Sequence, residues 1–210
     1  MIKGLFCALI VFCAFATPAR SSVIGLNFAG ADLNDGTALN GGPYAPPDTM
    51  GSVGPTHVVE FINGVYAVYD KATGALVGSK ISDTNFWLNA GVTPTDLSDP
   101  RITYDSQSGR WFATEVTTSE VVNNHILIAR SNTSDPTAGW KAVSITPTNN
   151  RFADFPTMGL DANGLYVGSN DYDAGGNFQS VSLYSVPKAD LVATTPSLSR
   201  LTSQIGRAHV

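Results

Sequence analysis

Residues 99–145 constrain the fold more than any other stretch, because they read as four short strands joined by turns. Arg101-Ile102-Thr103-Tyr104 alternates polar and apolar side chains, the period of a half-buried strand. Asp105-Ser106-Gln107-Ser108-Gly109 is a turn: Asp bonds the backbone that follows, and Gly takes positive φ. Residues 110–117 are rich in aromatic and β-branched side chains, and residues 125–130 form a third apolar run. A second turn region, residues 131–139, leads into Trp140, where the alternation resumes to Ile145. No segment here keeps helical spacing over three turns.

Weaker copies flank this unit. Residues 47–81 carry Met50-Gly51-Ser52-Val53, a turn at Gly54, and two apolar runs around Asn63-Gly64, the strongest short hairpin signal. An apolar segment at residues 75–81 is expected to be the fourth strand. Residues 154–204 repeat the order, with Thr157-Met158-Gly159 echoing Thr49-Met50-Gly51. One helical turn is expected near residues 187–191, and a last strand near 198–201. The first turns begin at Gly54, Asp105 and Asp161, 51 and 56 residues apart. Four strands every ~50 residues is the pattern of propeller blades. The expected fold is therefore an all-β propeller, here about three blades: 47–81, 99–145 and 154–204. A β-sandwich would carry the same turns, but it would not repeat.

The ends carry different signals. Lys3, an apolar run over residues 5–16, and small residues at Ala14, Ala16 and Ala19 read as a signal peptide over 1–21. The run is too short to span the ~30 Å hydrocarbon core. The expected locations are therefore extracellular, at the cell surface, or periplasmic. Residues 22–46 are Gly-, Asn- and Pro-rich and read as a lead-in strand and loop. Ile205-Gly206-Arg207-Ala208-His209-Val210 is what the start of a common sequencing adapter encodes. A native sequence ending near Gln204 then leaves roughly 180 residues, about three and a half blades where a ring takes four to eight. Both observations point to the front part of a longer chain.

Several function classes are excluded. Both cysteines, Cys7 and Cys13, lie in the signal segment, so residues 22–204 offer neither disulfide nor cysteine nucleophile. Without Lys3, Arg20 and Arg207, nine basic residues face 17 acidic ones, which is no footprint for nucleic acid. Asp outnumbers Glu 14 to 3, as suits turns between strands.

The most suggestive residues are Asp48, Asp99 and Asp154, each six or seven positions before its first turn and just ahead of an innermost strand. In a propeller those positions face the central channel. There, carboxylates grip sugar hydroxyls or a cation such as Ca²⁺ through oxygen; as turn caps they have a purely structural role. Arg101 and Arg151 lie beside them and are suited to pairing with them or holding an anionic sugar. Asp171, Asp173 and Asn177 approximate a calcium loop without its closing Glu. Glu115 is the candidate for a catalytic acid, with no sequence partner for the second carboxylate a glycosidase needs.

On these motifs the chain resembles a family of secreted bacterial and fungal β-propeller proteins of no established activity. The resemblance covers about residues 46–191. It rests on Pro46-Pro47-Asp48-Thr49, Val53-Gly54-Pro55, residues 61–74, Asp99-Pro100, Tyr104-Asp105, Arg110-Trp111, Asp135-Pro136-Thr137, Gly139-Trp140, and Asp154-Phe155-Pro156. Asp135 with Gly139-Trp140 is similar to the Asp-box of sialidases, which implies a structural turn between third and fourth strands. The resemblance brings no activity with it; the expected function is that of a secreted or surface protein that binds glycans or extracellular proteins. The alternative is a sialidase-like glycoside hydrolase or lyase with Glu115, Arg101 and an Asp converging near the axis.

Overall fold

The computed structural model describes residues 25–147 and 149–206. The signal-peptide expectation lies outside them. No described helix is long and apolar enough to cross a membrane.

The described chain is built from three antiparallel sheets in sequence order. Sheet 1 holds β1 (Met50–Val53), β2 (His57–Ile62) and β3 (Val65–Asp70). Sheet 2 holds β4 (Leu97–Asp105), β5 (Arg110–Thr117), β6 (Ile126–Ser131) and β7 (Trp140–Ile145). Sheet 3 holds β8 (Phe152–Leu160), β9 (Gly164–Tyr172), β10 (Phe178–Pro187) and β11 (Thr202–Gly206). Each sheet is a meander in which every strand pairs with the next. Among the described residues the sheets do not close into a ring.

Two apolar layers hold the sheets face to face. On β5 the alternation sends Trp111 and Ala113 toward sheet 1, where they join Val59, Phe61 and Trp87. Phe112 and Val116 point the other way and join Leu165, Val167 and Val186 of sheet 3. β5 therefore buries both faces, which explains its almost unbroken apolar run. The first strands lie side by side: β1 beside β4, and β4 beside β8. Tyr104 N donates to Ser52 Oγ across the first of these seams at 3.1 Å. At the far end of β4, Asp105 and Lys188 form a buried ion pair at 2.7 Å that ties sheet 2 to α3 (Lys188–Val192).

The turns follow sequence chemistry. Asp135 Oδ1 accepts from Thr137 N at 2.8 Å and Thr137 Oγ1 at 2.7 Å, while Trp140 Nε1 donates to Pro136 O at 2.8 Å. Asp and Trp of this Asp-box-like segment are thus occupied in shaping the turn and packing beneath it. Gly54 lies against the Trp111 indole so closely that a Cβ would sit 2.4 Å from Cζ2.

Four boundaries differ from expectation. The fourth strand of sheet 1, expected over 75–81, is reduced to isolated bridges Tyr69↔Leu76 and Tyr66↔Ile81, because Gly78 turns to φ 73° between them. The expected lead-in strand does not form among the described residues; instead α1 (Leu33–Asn40) forms within the lead-in. Its signal was Asp32 followed by Asp35, a reciprocal capping box that satisfies the first free amides. The connection after sheet 1 contains α2 (Asp83–Asn89), N-capped by Ser82, which buries Phe86 and Trp87. The last strand is β11 rather than residues 198–201, which close a turn through Leu201 N and Leu198 O. Ile205 and Gly206, from the adapter-like hexapeptide, pair with Ser182 and Val181. Sheets 2 and 3 also begin two residues earlier than expected, at Leu97 and Phe152.

Candidate functional site

The first strand of each sheet has a backbone kink just before it or near its start. Asp48 (φ 43°), Asp99 (φ 62°) and Phe155 (φ 52°) all occupy the left-handed region. Each stands six residues before its first turn, at Gly54, Asp105 and Asp161, so the three are register equivalents. For residues other than Gly this conformation costs about 1–3 kcal/mol, and it clusters where function fixes the backbone. The ladders shift register at the last two, between Ser98 and Arg101 and between Asp154 and Thr157. These bulges re-aim the side chains on either side of them. Asp154, grouped by sequence with Asp48 and Asp99, is thus one position ahead of the true equivalent, Phe155.

Asp99 nonetheless feels both other carboxylates. Burial pushes the Asp99 carboxyl up to about 6, aided by contact with Asp48 and by the charges of Asp48 and Asp154; the Ser98 hydroxyl opposes it. Asn63, at the tip of the β2–β3 hairpin, joins the parts. Its Nδ2 donates to Asp48 Oδ2 at 2.8 Å and Pro46 O at 2.9 Å, and its Oδ1 accepts from Asp99 N at 2.8 Å. Asp99 Oδ2 in turn accepts from Phe155 N at 3.2 Å. One hydrogen-bonded path therefore runs from sheet 1 through sheet 2 to sheet 3.

Arg101 follows directly. Its guanidinium carbon stands 4.4 Å from the centroid of Phe155, and Nη1 donates to Pro100 O at 2.9 Å. Stacking on an aromatic face holds the cation by ~0.5–2 kcal/mol and leaves guanidinium edges for hydroxyl or carbonyl oxygens. Phe155 is 47% exposed. These groups border a cleft of about 550 Å³ running along β1, β4 and β8. Arg151 does not join the carboxylates; its Nη1 donates to Asn150 O at 3.2 Å.

Glu115 is in a different setting. It stands on β5 across from the Asp99–Pro100 bulge, fully buried, with Trp87 Nε1 donating to Oε2 at 2.5 Å and no partner on Oε1. Burial, with the charges of Asp83 and Asp99, raises its pKa well above the usual carboxyl range, against the pull of Trp87. It sits behind Asp99 without reaching the cleft, so the expected convergence of Glu115 with Arg101 at a shared surface does not form. Asp83 is buried beside it, pushed up by burial and restrained by the amides of Thr84 and Gly64.

The calcium-loop residues separate. The Asp171 carboxylate is buried in sheet 3 and accepts from Ser169, Ser180 and Ser182 hydroxyls at 3.0, 2.9 and 2.6 Å. Asp173 leaves the strand and caps an exposed turn through Gly175 N and Asn177 N, at 2.9 and 3.0 Å. Asn177 Nδ2 donates to Asp173 at 3.2 Å and so offers that carboxylate a donor rather than a joint cation cage. Among the described residues no three His, Cys, Asp or Glu side chains are disposed to hold a metal ion.

Sequence reasoning misses the roles of Asn63 and Phe155. It takes Asn63 as hairpin chemistry alone, and it takes Phe86-Trp87-Leu88 as an anchor of the connecting loop on the core, which Phe86 and Trp87 are, without the bond from Trp87 to Glu115. The signal for Phe155 was present in the shared six-residue offset, since Asp99-Pro100 and Phe155-Pro156 align.

The site thus belongs to a stack of antiparallel meander sheets whose first strands, β1, β4 and β8, lie along one cleft. No protein-family model and no curated protein matches the chain. Among solved structures it is similar to the GH43 endo-arabinanase from Bacillus licheniformis, at 16% identity and a TM-score of 0.38. The match covers 75% of this chain and 52% of that one, so the chain spans about half the length of that structure.

Proposed function

We propose that the chain is an exported β-propeller protein whose three sheets are successive blades, and that it binds carbohydrate where their innermost strands meet. One observation carries this reading. Asp48 borders an open cleft beside an arginine stacked on a half-exposed phenylalanine, with Asp99 buried behind it and Asp154 on the other side of Phe155. Carboxylates accept from sugar hydroxyls, the guanidinium donates to ring and hydroxyl oxygens, and an aromatic face takes the apolar side of a sugar ring. The test is a glycan microarray probed with wild type and Arg101→Ala. Retention of a defined set of neutral glycans by wild type, lost in the variant, is the expected result. EDTA is expected to leave retention unchanged, since among the described residues no three His, Cys, Asp or Glu side chains are disposed to hold an ion. If wild type retains nothing, the reading fails.

A second reading, a glycoside hydrolase, is favoured by Asp99 alone. A carboxyl that keeps its proton to about pH 6 beside two further carboxylates meets the acid–base requirement of that chemistry. Release of reducing ends from bound oligosaccharide, abolished in Asp99→Asn, distinguishes it from simple binding.

A further inference from the structure

We infer that the ligand is a chain of neutral sugar units rather than a single sugar. Its inner unit lies in the axis cleft and its outer units cross the mouth end of sheet 3. The inference rests on the carbohydrate reading above. A second hollow, of about 440 Å³, opens on the far side of Asp154 between residues 118–121 and the turn after β9. The Asp154–Phe155 peptide separates it from the axis cleft: Asp154 lines the second hollow and Phe155 the first. Together the two reach the upper end of the ~300–1,000 Å³ found for ligand sites.

The lining fits a polyhydroxyl chain. Phe152 and Tyr172 line the hollow, and strand register sets Phe178 next to Tyr172, just outside it. The Tyr172 and Phe178 rings stand 5.9 Å apart at 75°. Phe178 is 38% exposed, and across the hollow Val121 is 66% exposed. A row of partly uncovered rings over polar surroundings gives successive pyranose faces something to rest on. Among the described residues the Asp154 carboxylate accepts no hydrogen bond, which leaves it free for hydroxyl donors. Glu120, at the opposite lip, accepts from Thr117 Oγ1 at 2.7 Å on Oε2 and from Thr95 Oγ1 at 3.4 Å on Oε1, with His125 Nε2 4.0 Å from Oε1, so each oxygen keeps one lone pair for a ligand hydroxyl. Asp173 stiffens the floor by capping its own turn. Three acids around one hollow disfavour a polyanionic chain.

The test measures affinity of the full chain for xylo-, cello- and malto-oligosaccharides from two to six units, with oligogalacturonate as the anionic control. Within whichever series binds, Kd is expected to fall roughly tenfold or more from dimer to hexamer, the equivalent of one further favourable contact of about 1.4 kcal/mol. Phe178→Ala and Tyr172→Ala are expected to erase that gain while leaving the dimer within about twofold of wild type. Phe178 is an exposed position, so its variant keeps the test informative if Tyr172→Ala folds poorly. Equal affinity at every length, or a length gain that survives both variants, overturns the inference and leaves the carbohydrate reading standing. Tighter binding of oligogalacturonate overturns the neutral-chain assignment. Failure of every series, the anionic one included, overturns the carbohydrate reading and this inference together.

Discussion

Replacing Asp99 by Asn is expected to stabilise the protein at neutral pH while weakening its site. Asp99 is 7% exposed, and its carboxyl titrates at about 6 against an ordinary value of 3.8. Because the folded pKa is raised, the native state binds the extra proton between those limits. Stability is then full below pH 4 and falls as pH rises through 6. The 2.2-unit gap, at 1.36 kcal/mol per unit, corresponds to about 3 kcal/mol lost by pH 8. Asn removes the charge and keeps the geometry. Its Oδ1 can accept from Phe155 N as Asp99 Oδ2 does, and its Nδ2 supplies a donor toward Asp48. Asn also tolerates the left-handed backbone at φ 62°. Urea unfolding of both proteins from pH 4 to pH 8 reads the effect, since Asp83 and the turn aspartates titrate alike in both; the variant also relieves Glu115 of the Asp99 charge, which adds to the gain in the same direction. The difference is expected to be near zero at pH 4 and to grow to about 2–3 kcal/mol in favour of the variant by pH 8. A difference that does not change with pH, or a variant less stable at pH 8, refutes the like-charge crowding inferred here. A gain in stability on removing the Asp99 charge is what the proposed site predicts, since sites kept strained for use sacrifice stability.

The ion pair between Lys188 and Asp105 supplies a complementary case. Both side chains are over 90% buried, so Lys188→Met strands a carboxylate, at a cost of about 3–5 kcal/mol by chemical denaturation at pH 7. Burial raises the Asp105 pKa, but Lys188, Ser108 and Gln107 together hold it below the usual range. The loss should therefore shrink as pH falls below 4, and a penalty that persists undiminished would contradict it. Gly54→Ala drives a methyl group into Trp111 and is expected to cost about 1–3 kcal/mol, with altered tryptophan fluorescence. A variant with wild-type stability would mean that the indole can yield despite its bond from Nε1 to Ser134 O.

Much of this arrangement was legible in the chain because its governing interactions are local. Asp105, Asp135 and Asp161 each bond amides two or three residues on, so their turns could be found from Asp and Gly positions alone. The meander followed from those turns and from strand alternation. What stayed hidden depends on partners far along the chain. Asn63 reaches Asp99 across 36 residues, Trp87 reaches Glu115 across 28, and Lys188 reaches Asp105 across 83. The short helices were missed for a different reason: α1 and α2 have seven or eight residues, too few for a helical period to stand out. Their caps, Asp32 and Ser82, carried the signal instead. The candidate site combines both kinds of information. Repeat spacing pointed to Asp48 and Asp99, because the kink recurs at a fixed offset from a local turn. The same offset falls on Phe155 in sheet 3, and there the chain places an aromatic ring where its other two copies place an acid. That exchange breaks the symmetry of the repeat: it gives Arg101 its stacking partner and moves the third carboxylate, Asp154, to the ridge between the two hollows. A strictly repeated Asp would have made three equivalent caps. The departure from the repeat is therefore the feature that turns a structural kink into an asymmetric cleft, and it is the position at which a ligand with two distinct faces can be oriented.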